Sequence, residues 1–323
     1  MIRVSTGSRL HFGLFQLQEA DVEHWPDRYG DRIFPARRFG GVGLMIEAPA
    51  VRLTVARTWS WQASGPMADR ALAFARRFAE TTPEVQSAYR IAVAHCPPEH
   101  VGLGTGTQLG LAAARGIAHA SGLTNVAATA LAARIGRGQR SGIGTHGFAC
   151  GGFLVEAGQG EVGARDFPSD WQVVVILGSE TPGLHGSAET TAFDQLATPS
   201  PARTDALCRL VLFGMLPALV EQDIDAFGEA VHDFNARVGE AFAPVQGGIY
   251  ANERVADVVR FVRSQGVRGV GQSSWGPVVF AVLADRERAD DLARRLRSRF
   301  ALKVNDVMIT HARNHGADVR VGS

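Results

Sequence analysis

Apolar and polar residues alternate over residues 1–17, the period of a half-buried strand, with a break at Thr6-Gly7-Ser8-Arg9. Two apolar, β-branched runs at 42–46 and 51–55 predict strands that turn through Ala48-Pro49-Ala50. Residues 89–95 predict another strand, stopped by Pro97 and Pro98 because proline lacks the ladder N–H. The period then lengthens. Apolar residues recur at helical spacing over 67–81, at Leu109, Ala113 and Ile117, and over 124–136. Short apolar strands are predicted at 153–157 and 171–177. From Thr191 the pattern is helical over 202–219, 223–239 and 252–265, followed by a strand at 277–283, an arginine-rich helix at 286–299 and a strand at 302–309. Early strands followed by a helix-plus-strand half predict an α+β protein or a two-domain α/β one. Residues 19–39 carry mixed charge and two prolines and are expected to run over the surface as far as Arg37 and Arg38.

Composition narrows the function classes. With 323 residues the chain has room for two domains, and 46% apolar with 20% charged residues suits a folded enzyme. A net charge of +1 gives no reason to expect nucleic acid or an acidic membrane as a partner. Cys96, Cys150 and Cys208 lack any C-x-x-C spacing and are expected to be reduced core residues. The N-terminal run has arginines and a histidine where a signal peptide needs an apolar core, and no run is long enough to span a bilayer. A soluble, cytoplasmic protein is expected.

The chemistry concentrates in glycine-rich stretches. In His95–Ile117 a strand ends, a proline-stiffened loop follows, and Gly102, Gly104 and Gly106 alternate with Leu103, Thr105 and Thr107 before a helix of small residues. Glycines at a helix entrance let a ligand approach the backbone, and the free N–H groups there favour an anion. Thr105, Thr107 and Gln108 are expected to add side-chain donors to a phosphate cradle. The run has no Gly-Lys-Ser/Thr ending, so it is no Walker A loop, and Thr107 stands where G-x-G-x-x-G needs its third glycine. A second stretch covers residues 136–152 and a third residues 269–276.

In this order the three stretches resemble the GHMP kinase superfamily. Gly102-Leu-Gly-Thr-Gly-Thr107 is similar to that family's Pro-x-x-x-Gly-Leu-Gly-Ser-Ser-Ala phosphate loop, Val4–Gly13 to its substrate-side motif and Val270–Pro277 to the motif that closes over the loop. The resemblance implies an α+β, two-domain fold. Its amino-terminal ribosomal-protein-like α+β domain would span 1–180, and its carboxy-terminal ferredoxin-like α/β sandwich 181–323. Many of these kinases carry Ser-Gly-Ile-Asp in the second stretch, the aspartate acting as base; this chain has Ser141-Gly-Ile-Gly144. The pattern is closer to the non-kinase β-ribofuranosylaminobenzene 5′-phosphate synthase branch, on Ser8–Gly13, Gly102–Gln108, Arg140–Thr145 and Gln246–Gly248.

That resemblance implies condensation of phosphoribosyl pyrophosphate with 4-aminobenzoate or 4-hydroxybenzoate, releasing pyrophosphate and carbon dioxide, in the methanopterin biosynthesis of a one-carbon metabolism. The alternative is an ATP-dependent small-molecule kinase. Mg²⁺ held by the substrate's own phosphates would serve, no organic cofactor is expected, and a homodimer is left open; the metal ligands are not defined by the sequence. A carboxylate clamp wants arginine, which points to Arg9 and Arg140. His11, and His185 with Glu189 in the loop after residues 171–177, complete the catalytic candidates. Ser8, Ser141, Gly142, Thr145, Gln272, Ser273 and Ser274 are the expected substrate contacts, and Gly102, Gly104, Thr105, Gly106, Thr107 and Gln108 the phosphate contacts.

Overall fold

In the computed structural model, which describes residues 1–16, 39–138, 141–157, 163–177, 191, 196 and 200–322, the described strands form two sheets. The first holds β1 (Ile2–Gln16), β2 (Phe39–Thr58), β3 (Gln62–Ser64), β4 (Ala88–His95), β5 (Phe153–Ala157) and β6 (Gly163–Arg165). The second holds β7 (Gln172–Leu177), β8 (Gly269–Gln272), β9 (Val278–Leu283) and β10 (Val307–His311). A last strand, β11 (Asp318–Val321), returns to pair with β1. The first sheet is accompanied by α1 (Ala68–Glu80), α2 (Thr105–Ala120), α3 (Ala128–Arg134) and α4 (Ile143–Cys150). The second half carries α5 (Pro201–Arg209), a π-helical turn (Leu210–Met215), α6 (Leu216–Glu221), α7 (Ile224–Gln246), α8 (Glu253–Ser264) and α9 (Arg286–Phe300).

In chain order the strands of the second sheet stand 4-1-3-2, all antiparallel, with α7 and α8 between the first two and α9 before the last. This is a split βαββαβ arrangement. Residues 172–177, which the sequence assigns to the first unit, therefore lie in the second sheet, and residues 318–321 go back to the first.

β9, and β7 beyond Gln172, are apolar because both faces are covered. Val173 and Val175, with Val278, Phe280 and Val282, face a core shared with Leu10, Phe12 and Leu44 of the first sheet and with Phe227, Val231 and Phe234 of α7. Their alternates Val174, Ile176, Val279, Ala281 and Leu283 face α8 and α9. A separate core packs β1, β2 and β4 against α1, α2 and α3.

Residues 42–46 and 51–55 are not two strands reversing at Pro49. They belong to one strand, β2, and the pairing with β1 jumps from Ser8↔Ile46 to Thr6↔Val51. Residues 47–50, with a cis Ala48–Pro49 bond, form a bulge within it. One part of β2 pairs with β5 and the other with β4, so a proline that suggests a turn instead marks where the strand changes partner. Residues 302–309 are a strand only from Val307, preceded by a 3₁₀ turn (Val304–Asp306). The surface run over 19–38 lies outside the described residues.

Buried Arg313, 1% exposed, fastens the chain end: it binds both Glu47 carboxylate oxygens (2.8 and 2.9 Å), Asp318 (2.7 Å) and the Gly316 carbonyl.

Candidate functional site

α2 starts at Thr105 because Gly104 takes a left-handed conformation (φ 68°) open to glycine without strain. No side chain caps this helix. The Thr107 and Gln108 N–H groups turn back to the Gly104 carbonyl at 3.0 and 3.1 Å, while those of Thr105 and Gly106 have no acceptor within the helix. Two such donors at the positive end of a helix form a seat for an anion.

Arginines surround that seat. A β-carbon placed on Gly104 would lie 2.9 Å from Arg9 Nε, and one on Gly106 would lie 3.0 Å from an Arg70 guanidinium nitrogen and 3.1 Å from an Arg137 one. Arg70 and Arg137 both stack on Phe74, 5.6 and 5.1 Å from its ring centre, and Arg70 pairs with Glu99 at 2.5 Å. Sequence reasoning missed both residues. The available signal was the i, i+4 spacing of Arg70 and Phe74 on a helix just ahead of the glycine loop.

The side-chain donors expected of this loop are used inside the fold. Buried Thr105 donates its hydroxyl to the Pro98 carbonyl (2.9 Å). Gln108, wholly buried, donates from Nε2 to the Gly144 carbonyl and accepts the Thr6 hydroxyl at Oε1, both at 2.8 Å. Thr107 is half-buried, against Gly144. What the loop offers an anion is therefore backbone, with arginine around it.

The three glycine stretches meet through buried hydrogen bonds. Ser273 Oγ donates to the Gly102 carbonyl (2.6 Å) and accepts the His11 N–H (3.0 Å), and the Ser274 N–H donates to the His11 carbonyl (3.0 Å). Gly102 itself admits no side chain, since a β-carbon there would stand 2.2 Å from the Ser273 carbonyl oxygen. Several expected substrate contacts are joints of this assembly. Ser8 donates to the Pro49 carbonyl (2.6 Å), and Gln272 accepts the Ala251 N–H (2.7 Å) and donates to the Ser274 carbonyl (2.8 Å). Thr145 Oγ1 is buried with no hydrogen-bond partner among the described residues.

Beside the cradle lies a second polar group. His11 Nε2 and Ser141 Oγ share a hydrogen bond of 3.1 Å, and the Gly142 N–H donates to Glu156 Oε1 (2.8 Å). Burial, aided by the nearby Arg9 charge, holds the His11 imidazole well below its usual pKa, so it rests neutral.

Also at this part of β1, His11, Phe12, Gly13 and Leu14 line a cavity of about 40 Å³ with Val238, Phe242, Ile249 and Trp275. Phe242 and Trp275 meet edge to face at 4.5 Å, and Asn235, Gln246, Gln272 and Ser274 supply polar edges. Arg140, His185 and Glu189 lie outside the described residues. At the end of β4, His95 Nδ1 bonds the Ala50 carbonyl, and the half-buried Cys96 thiol, pushed up to about 11 chiefly by burial, touches Met67 sulfur.

Comparison with known proteins bears on the fold and on what the chain is similar to. Residues 215–302 match the family described as GHMP kinases C terminal. The chain is similar to the β-ribofuranosylphenol 5′-phosphate synthase of Methanothermobacter thermautotrophicus, 28% identical over 97% of both chains. It is 29% identical to the protein of that name from Archaeoglobus fulgidus, over 99% of this chain and all of the relative. Among solved structures it superposes on mevalonate diphosphate decarboxylase from Staphylococcus aureus with a TM-score of 0.67 at 13% identity, covering 99% of each chain. The fold is that of the GHMP kinases.

Proposed function

We propose that this chain is a decarboxylating ribosyltransferase of tetrahydromethanopterin biosynthesis. It would condense phosphoribosyl pyrophosphate with 4-hydroxybenzoate or 4-aminobenzoate, releasing carbon dioxide and pyrophosphate. Near full-length similarity to two archaeal synthases supports the reading, and the word phenol in their name favours the hydroxy acid. One observation of geometry carries it: on β1, Arg9 reaches the anion seat while His11 to Leu14 line the aromatic-edged cavity, which has room for little more than a water and would have to open around a benzoate ring. A donor diphosphate and an aromatic acceptor would then meet across adjacent residues of a single strand.

The α2 amides and Arg9, Arg70 and Arg137 would take the growing negative charge of the leaving pyrophosphate. A preorganised donor of this kind is worth about 3–4 kcal/mol in the transition state. Arg9 is thus assigned to the diphosphate and not to the acceptor's carboxylate. As the ring carbon bonds to C1 of the ribose, the C–O bond to pyrophosphate breaks with its electron pair. The proton of the para hydroxyl passes to neutral His11. The bond to the carboxylate then breaks, its pair restores the aromatic ring, and His11 returns the proton. No carboxylate at position 144 is required, consistent with glycine there. Mg²⁺ would arrive on the diphosphate: among the described residues no three His, Cys, Asp or Glu side chains gather to hold a resident ion.

The test is incubation with phosphoribosyl pyrophosphate, Mg²⁺ and carboxyl-labelled 4-hydroxybenzoate, with 4-aminobenzoate in parallel. Labelled gas and pyrophosphate in equal amounts are expected. No gas, together with acceptor-stimulated ADP formation from ATP, would replace this reading with the kinase one.

A further inference from the structure

The run Gln246–Gly248, part of the family resemblance, takes no part in the anion seat. Gln246 ends α7 and lines the cavity at His11 to Leu14. That cavity measures about 40 Å³, whereas one of about 150 Å³ is what takes a benzene ring. A ring enters only if a wall withdraws.

Most of the lining is fixed. Phe12 belongs to the main core, and a β-carbon on Gly13 would lie 2.7 Å from Val238 and 2.8 Å from Phe234. Asn235 donates from Nδ2 to the Phe12 and Gln272 carbonyls and accepts the Gln272 N–H. Trp275 stands on this fixed side. It is 9% exposed, in a turn whose Ser274 N–H holds the His11 carbonyl and whose Gly276 is pressed against the Val101 carbonyl.

The remaining wall, with Phe242, Gln246 and Ile249, is built differently. Pro244 lies in the last turns of α7 and offers no N–H to the Glu240 carbonyl. Every residue from 241 to 250 is at least partly exposed, while Phe234, Asn235, Val238 and Gly239, earlier in the same helix, are buried. After Gly247, which is left-handed, the chain doubles back until the Ile249 carbonyl lies against Gly239. Gln246 Nε2 latches the turn by donating to that carbonyl at 2.9 Å. Ala251 rejoins the fixed side by donating its N–H to Gln272 Oε1. Residues 241–250 thus form a flap, loosened where Pro244 breaks the helical ladder. Phe242 on the flap meets Trp275 on the fixed side edge to face, 4.5 Å between ring centres.

We propose that Trp275 is the contact for the acceptor's aromatic ring, and that Phe242 fills the ring's place until the flap swings out. The proposal rests on the transferase reading, which supplies the aromatic acid. Phe242 then competes with the acceptor, whose affinity is scaled down by the fraction of molecules that are open. Trp275 offers the incoming ring the same edge-to-face partner. Two residues that touch each other therefore act on the acceptor in opposite senses.

Calorimetry with 4-hydroxybenzoate, on protein saturated with Mg²⁺ and inorganic pyrophosphate, reads binding without turnover. Phe242→Ala makes room for the ring while the flap stays closed, and is expected to tighten binding about 2- to 10-fold, the worth of one aromatic pair. Trp275→Leu is expected to weaken it about 10-fold or more, with pyrophosphate binding unchanged. Steady-state kinetics should show the same split in the acceptor KM at constant donor KM. Weaker binding in both variants would make the pair a plain wall and overturn the proposal, and so would no change in either. Should melting show that Trp275→Leu does not fold, Phe242→Ala decides alone, tighter binding upholding the proposal and weaker or equal binding overturning it. If wild-type protein binds the acid yet releases no labelled gas, the transferase reading fails, and the two variants still decide what the pocket takes. If it releases gas and Trp275→Leu keeps the acceptor KM, the transferase reading stands and this proposal falls.

Discussion

Gln108 distinguishes a residue that touches the donor from one that holds the site together. Replacing it with leucine puts an apolar side chain of similar size in its place and removes both hydrogen bonds. The Thr6 hydroxyl, in a residue with no exposed surface, loses its partner, and stranding a buried polar group costs about 1–3 kcal/mol. The Gly144 carbonyl, in the first turn of α4, keeps its place in the helical ladder and loses only the second bond, about 0.5–1.5 kcal/mol. A loss of about 2–4 kcal/mol is expected, read as a lower urea midpoint at unchanged slope. Adding Thr6→Val removes the stranded hydroxyl and should restore about 1 kcal/mol or more, because the two positions are coupled. Full stability of Gln108→Leu with a raised donor KM would refute the reasoning and return Gln108 to the donor's phosphates. So would a double variant no more stable than the single one.

Arg70→Met and Arg137→Met should each raise the donor KM about 10- to 100-fold with little change in melting, the scale of one charge-assisted hydrogen bond; steady-state kinetics at fixed acceptor checks this. Arg313→Met strands Glu47 and Asp318 and should cost about 2–4 kcal/mol, less than for a fully dry pair because both carboxylates are partly exposed. The hydrogen bond from Arg313 holds Asp318 below its ordinary 3.8. Its contribution is complete above that pH and is lost as pH falls through the native value, so Arg313→Met should flatten the acid side of the stability curve. His11 works in the same direction from a higher pH. Its native pKa lies below 6.5, the unfolded chain binds the proton first, and stability falls as pH drops below 6.5; urea midpoints of His11→Asn should lose that slope.

The elements were largely legible in the sequence. Helices near 67–81, 252–265 and 286–299 follow from apolar spacing that a helix must bury on one side, and the last two begin at Asn252 and Asp285, whose side chains cap them. The glycine turn that opens α2 was legible as well, because glycines before a run of small residues leave few alternatives for the backbone. The bulge at 47–50 was not: proline marks a place where a strand cannot continue regularly, and only the partners on either side decide whether the chain turns or bends.

By itself the sequence determined where strands, helices and exposed backbone donors fall, since those depend on neighbours a few residues away. Tertiary structure alone decided what each side chain does. Gln108, Ser8 and Ser273 look like ligand contacts in a motif, yet carbonyls and hydroxyls from residues distant in the chain use their hydrogen-bonding groups, and Thr105 is used by Pro98 of its own loop. Arg70 and Arg137 carry no motif and reach the site because a helix face and the loop after α3 point there. A buried polar atom must find a partner wherever one exists, and that search runs through space rather than along the chain.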